Sequence, residues 1–203
     1  MKYQMHDAVK RAQRKLSAFS SSQPVAVFAI ACLHEWEDVA KAAARASLGV
    51  SLRKFDKKPT VKELKYLTGE QHQALLHYHW QCSVAATSAV VDFKSTKADS
   101  GWVWLTCQAC LPHPSPQPVA SRYGNDSRHL RQWFMDFIER TRGVLSDCPG
   151  GSVRNLAVLT PVLKLTHGCK NCREVAFEQI LEFIGDFLEP RIQEELDKVR
   201  ILT

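Results

Sequence analysis

Apolar residues recur at three- and four-residue spacing along most of the chain, and that period predicts helices. In residues 3–19, Met5, Ala8, Val9, Ala12 and Leu16 form one amphipathic stripe. Ser20–Ser22 break it, and Pro24 suits the first turn of a second helix, PVAVFAIACLHEW, which is apolar almost all round and therefore expected to be buried. A third helix, about 35–48, carries the small-residue run EDVAKAAARASL, with Gly49 as its expected stop. Beyond the basic loop SLRKFDKKPT, a short helix VKELKYL is expected. Thr68-Gly69-Glu70-Gln71 then has the spacing of a capping box and opens a long helix over about 69–93. Its inner stripe is read as Leu75, Leu76, His79, Cys82, Ala86 and Val90.

The middle of the chain loses this period. SGWVWLTCQACLPHPSPQP is rich in Pro, and Trp102, Trp104 and Leu105 suggest a short extended segment. Helical spacing returns over about 127–142, with Leu130, Trp133, Phe134, Phe137 and Ile138. SDCPGG reads as a turn, and a weaker helix is expected through VRNLAVL, ahead of Pro161. HGCKNC leads into a last helix, about 172–200, with the stripe Val175, Phe177, Ile180, Leu181, Ile184, Leu188, Ile192, Leu196 and Val199; Pro190 should kink or divide it. No sheet pattern and no internal repeat is visible. The expected fold is all-α, with an irregular Trp- and Cys-bearing loop region between helical segments.

Composition narrows the classes. With 45% hydrophobic and 9% aromatic residues in 203, the chain can bury a core, which excludes a disordered protein. No apolar run approaches the length of a membrane span, and the basic N-terminus lacks the apolar stretch of a secretory signal, so an intracellular protein, cytoplasmic or nuclear, is expected. The excess of 27 Lys and Arg over 21 Asp and Glu favours acidic partners only weakly.

The seven cysteines change the picture more. In a reducing compartment they should not form a disulfide framework, and an odd number argues against full pairing. Four of them make two Cys-x-x-Cys motifs, Cys107–Cys110 and Cys169–Cys172. A two-residue spacer lets both sulfurs of a motif face one metal ion, and two motifs complete a tetrahedral four-thiolate zinc site. Such an ion would be structural and would staple the irregular loop to the start of the last helix. A rival set uses His79 and Cys82, one helical turn apart, with Cys107 and Cys110; the competing reading makes His79 a hydrogen-bonded core histidine and Cys82 a small core residue. His113 and His167 each lie near a motif and are substitute ligands. Cys32 reads as core and Cys148 as a bystander.

Catalytic motifs are scarce: there is no Gly-x-Ser-x-Gly, no P-loop, no His-Glu-x-x-His and no deaminase-type His-x-Glu. A closed four-thiolate site would also leave no open position for substrate. The basic runs KRAQRK and LRKFDKKP leave a nucleic-acid-binding regulator as an alternative, and a zinc- or cysteine-dependent enzyme as another.

Several spaced elements together resemble one family. Val27-Phe28-Ala29-Ile30-Ala31-Cys32, Ala42-Ala43-Ala44-Arg45, the set Leu75, Leu76, Tyr78, His79 and Cys82, and Trp104 followed by the two Cys-x-x-Cys motifs are similar, in this order, to the region after the BTB domain in fungal, mainly mushroom-type, BTB-domain proteins. The resemblance covers nearly the whole chain. It implies residues 1–50 as the helical segment that follows a BTB domain, residues 51–203 as a zinc-stapled helical region packed as one unit with it, and a BTB domain upstream of Met1. It also implies an adaptor that binds another protein, with structural zinc held by Cys107, Cys110, Cys169 and Cys172.

Overall fold

The computed structural model describes residues 2–51, 61–91, 101–121 and 124–201. Its elements are α1 (Lys2–Ser17), α2 (Pro24–Leu33), α3 (Glu37–Ser47), a 3₁₀ turn (Lys62–Tyr66), α4 (Gly69–Val91), α5 (Val103–Thr106), β1 (Gln117–Ser121), β2 (Gly124–Arg128), α6 (Gln132–Asp147), α7 (Leu156–Thr166), α8 (Lys170–Phe183), a π turn (Ile184–Leu188) and α9 (Glu189–Lys198). Among the described residues the fold is all-α apart from one short ladder. The basic loop over 52–60 lies outside the described residues.

The chain divides into two compact units. The first contains residues 1–83 with 147–151 and 199–203; the second contains 84–146 and 152–198. The boundary expected at residue 50 falls inside the first unit.

In the first unit α2 is buried from Pro24 to Ala29 and again at Ala31, as its all-round apolar sequence demands, with Pro24 opening the first turn. α3 turns Val39, Ala40, Ala43, Ala44 and Ser47 inward, and these small side chains let α2 and α3 pack closely. α3 ends at Ser47, two residues before Gly49. The two helices join through Glu35, which holds a φ of 57°. α4 begins with the expected capping box: the Gln71 backbone N–H donates to Thr68 Oγ1 (3.1 Å) and the Thr68 N–H donates to Gln71 Oε1 (3.0 Å). Within this unit the inner face of α4 is Leu75, Tyr78, His79 and Cys82; its later turns, where Ala86, Ala89 and Val90 are buried, belong to the second unit. Leu76 is exposed instead, because one residue past Leu75 lies about 100° around the helix. The expected stripe of α1 is not a buried one either: Ala8, Val9 and Ala12 are exposed. The 147–151 segment joins this unit by a close approach, in which the Gly150 N–H donates to the Leu48 carbonyl (3.0 Å) and a Cβ on Gly150 would stand 3.1 Å from Leu48 Cβ.

In the second unit the core is aromatic. Trp104, fully buried, stacks on Phe134 (4.3 Å between ring centres) and on Trp102 (4.6 Å), and meets Phe183 and Trp133 edge to face. The segment expected to be extended is instead the short helix α5, Val103–Thr106, with Trp102 as its N-terminal cap. The Leu105 and Thr106 N–H groups and the Thr106 hydroxyl all donate to the Trp102 carbonyl, which winds the turn. β1 and β2 form an antiparallel ladder from Gln117↔Arg128 to Ser121↔Gly124. QPVAS and GNDSR lack an apolar alternation, so nothing in their pattern announces strands, and α6 starts at Gln132, beyond the ladder. α7 is capped by Asn155, whose Oδ1 accepts from the Ala157 N–H (2.9 Å), and runs through Pro161. The single intrahelical bond that Pro161 forfeits is outweighed by burial of Val158, Leu159 and Val162. Pro190 divides the last helix as expected. The turn before it widens to π geometry, and the Glu189 N–H reaches back to the Ile184 carbonyl. Ala176, Ile180, Phe183, Ile184, Leu188, Ile192 and Leu196 are buried along this stretch, whereas Phe177 points outward.

Candidate metal centre

The two Cys-x-x-Cys motifs meet in the second unit. α5 carries Cys107 at its C-terminal cap, and the turn that follows carries Cys110. Cys169 is the N-terminal cap of α8 and Cys172 lies in its first turn. The sulfurs of all four lie within 4.8 Å of one another, the one group of His, Cys, Asp and Glu among the described residues that could hold a metal ion. Cys107 Sγ is 3.6 Å from Cys169 Sγ, and Cys110 Sγ is 3.4 Å from Cys172 Sγ. Cys172 is fully buried, Cys107 is 5% and Cys169 8% exposed, and Cys110 is the most open of the four.

Neighbouring backbone and side chains hold both motifs in place. The Val103 N–H at the start of α5 donates to Gln179 Oε1 on α8 (2.7 Å), one bond between the two cysteine-bearing elements. Arg131 clamps the first motif from the other side. Its backbone N–H donates to the Trp104 carbonyl (3.0 Å) and its guanidinium to the Cys110 carbonyl (3.3 Å). The Gln132 N–H donates to the Leu111 carbonyl (3.0 Å), closing the turn after Cys110. On the second motif, the Cys169 N–H donates to the Thr166 carbonyl at the end of α7 (3.0 Å), and the Arg173 N–H donates to the Cys169 carbonyl (2.9 Å).

The thiols influence one another strongly. The Cys172 backbone N–H and then the Cys110 thiol hydrogen-bond to the Cys169 sulfur and pull its pKa down to about 7. The helix N-terminus on which Cys169 sits favours the same anion. Burial pushes Cys110 up to about 11 and raises Cys172 as well, where the Cys110 thiol adds to the effect. Four thiolates this close repel one another, so the fully ionised set calls for a cation at its centre.

The substitute ligands are elsewhere. His79 and Cys82 belong to the first unit. His79 is a buried core histidine whose Nε2–H donates to the Ser47 carbonyl (2.9 Å), and burial pushes its pKa down. Cys82 is fully buried, hydrogen-bonded with Tyr78, and its thiol is raised by burial. The Nδ1 of His113 accepts from the Ser115 N–H (3.2 Å), and His167 is the exposed C-terminal cap of α7. Cys148 is in contact with the Asp147 carboxylate, and Cys32 is half-buried, less enclosed than a core reading implies. Sequence reasoning missed Gln179 and Arg131 as supports, since nothing in their spacing links them to α5 or to Cys110.

Compared with protein-family models, with curated proteins and with solved structures, the chain finds no match in any of the three. No helix among the described residues is long and apolar enough to cross a membrane.

Proposed function

We propose that Cys107, Cys110, Cys169 and Cys172 bind one structural zinc ion, and that the chain is a helical module that binds other proteins. The observation that carries the first part is the four-sulfur cluster. With Zn–S bonds of about 2.3 Å, a tetrahedral site places its sulfurs ~3.8 Å apart. The Cys107–Cys169 and Cys110–Cys172 pairs, at 3.6 and 3.4 Å, and an upper limit of 4.8 Å for all pairs bracket that value. Zinc suits thiolates and tetrahedral geometry and does no redox chemistry, which fits a staple between α5 and α8. A fourth thiolate fills the position that a catalytic zinc keeps open, so the donor set speaks for structure over catalysis.

The interaction reading is supported by large apolar side chains left in water, among them Leu111 beside the first motif (81% exposed) and Trp80 on α4 (62%). The resemblance to the region after the BTB domain of fungal BTB-domain proteins points the same way, toward an adaptor acting inside the cell.

Elemental analysis of the purified chain tests the metal. About one zinc per chain is expected; metal-free protein of unchanged stability would refute the site, and iron in its place would refute zinc. For the second part, Trp80→Ala and Leu111→Ala are made separately. Each should keep the fold and the metal while at least one loses the proteins captured by the parent chain. Unchanged capture by both would refute these surfaces.

A further inference from the structure

We propose that the four-cysteine cluster is also a reversible oxidation site, in which a hydroperoxide converts it to two disulfides, Cys107–Cys169 and Cys110–Cys172, and the metal is expelled. The expulsion rests on the metal-site reading above, whereas the pairing stands on sulfur geometry alone.

Two of the sulfur pairs meet hydrogen-bond geometry, at 3.6 and 3.4 Å, and each joins the first motif to the second, within a cluster whose four sulfurs all lie within 4.8 Å of one another. Both span the same separation of 62 residues, so the pairs are in parallel register and one can close without blocking the other. A disulfide bond is about 2.05 Å long, so each pair must close by roughly 1.5 Å. The Cys110–Cys172 pair also has a more open member. In that pair Cys110 is only half-buried while Cys172 is fully buried; in the other, Cys107 and Cys169 are both buried, and Cys169 stands at the N-terminal cap of α8. An accessible thiolate beside a resolving cysteine is the arrangement of a redox-responsive pair.

The chemistry balances with peroxide as the only oxidant. In the metal-bound cluster, where Cys110 would be held as a thiolate, its sulfur attacks one peroxide oxygen; the O–O bond breaks, hydroxide leaves and takes up a proton, and Cys110 becomes a sulfenic acid. The Cys172 thiolate attacks that sulfur, the S–S bond forms, the S–O bond breaks, and a second hydroxide is protonated to water. Cys169 and Cys107 repeat the sequence with a second peroxide. Four thiolates lose four electrons, two peroxides gain them, four protons are taken up and four waters leave. The disulfide sulfurs carry no negative charge and no longer hold a divalent cation. Because both new bonds cross between the motifs, the staple between α5 and α8 survives the loss of the metal.

The test uses the full chain as isolated, with its metal content measured first. Hydrogen peroxide is added stepwise, released metal is read with a chromogenic chelator, and disulfides are mapped by mass spectrometry of unreduced peptides. The expected result is Cys107–Cys169 and Cys110–Cys172 linkages, about one metal released per two peroxides consumed, and recovery with dithiothreitol and zinc. Linkages within a motif, linkages to Cys32, Cys82 or Cys148, sulfinic acids in place of disulfides, or an unreactive cluster would each overturn the proposal. A chain isolated without metal would refute the metal reading, and the peptide map would still decide the pairing.

Discussion

Cys110 and Cys172 face each other with their sulfurs 3.4 Å apart, although 62 residues separate them in the chain. Cys172 is anchored in the first turn of α8, while Cys110 sits in a turn held by the Arg131 guanidinium and the Gln132 backbone. Their meeting depends on long-range packing and on whatever satisfies four adjacent thiolates. Cys172→Ser, or chelation of the parent chain, should therefore remove the metal and lower stability by about 3 kcal/mol or more, because metal binding at such sites is coupled to folding. For a chain of this size that is roughly 6–12 °C in melting temperature. Calorimetry with and without chelator checks it, and an unmoved transition would count against the staple.

Trp104 is the centre of the second unit's core, enclosed by Trp102, Trp133, Phe134 and Phe183. Trp104→Ala leaves a cavity that neighbouring rings cannot fill and should cost about 3–5 kcal/mol. Trp104→Phe keeps part of the stacking and should cost distinctly less. Urea unfolding of both variants supplies the comparison, and similar losses would mean that stacking contributes little.

His79 makes stability depend on pH. Burial holds its folded pKa below the ordinary 6.5, against smaller opposing effects from the Ser47 carbonyl and Asp147. The unfolded chain thus binds this proton at higher pH than the folded one. The stabilisation is fully present above about pH 6.5 and is lost as pH falls toward the folded value. Urea midpoints across pH 5–7.5 should fall with acid, and His79→Gln, which keeps a donor for the Ser47 carbonyl but cannot titrate, should flatten that fall. Equal slopes in both proteins would remove His79 as the cause.

The start of α4 offers a local test. Thr68→Ala deletes the acceptor for the Gln71 N–H and should destabilise the chain by about 1 kcal/mol, whereas Thr68→Ser should be nearly neutral. Equal losses in the two variants, measured by denaturant unfolding, would assign the effect to the methyl group and not to the cap.

Gly150 tests the contact that brings the 147–151 segment into the first unit. A Cβ there would press on Leu48 at 3.1 Å and on its carbonyl carbon at 3.3 Å. Gly150→Ala should cost about 1–2 kcal/mol by forcing Leu48 aside. Leu48→Gly in the same background removes the Cβ that is met at 3.1 Å and should recover part of the contact energy, a coupling that a double-mutant cycle reads directly.

What the sequence made legible follows from period and spacing. The all-round apolar α2, the small-residue run of α3, the inner positions of α4, the Thr68–Gln71 box and each Cys-x-x-Cys motif are local patterns visible in a short window, whereas the meeting of the two motifs across 62 residues was legible only through the chemistry of a four-thiolate site. The misses have physical causes of two kinds. Leu76 and Phe177 are apolar and so read as inward, yet each follows a buried residue and lies about 100° further around its helix, on an exposed side. α5, the β1–β2 ladder and the passage of α7 through Pro161 depend on partners distant in sequence or on burial that outweighs a lost hydrogen bond. Gln179 reaching Val103 across 76 residues is the plainest case, since an isolated glutamine on a helix carries no sign of its target.

The 62-residue span between paired sulfurs has a consequence in time as well as in space. At a synthesis rate of about 5–20 residues per second, Cys107 and Cys110 are made roughly 3–12 s before Cys169 and Cys172. During that interval the nascent chain offers only half of a donor set, which grips an ion weakly and exposes two thiols to competing ligands. Loading of the proposed metal would thereby wait for the end of translation, when α8 delivers the second half of the site.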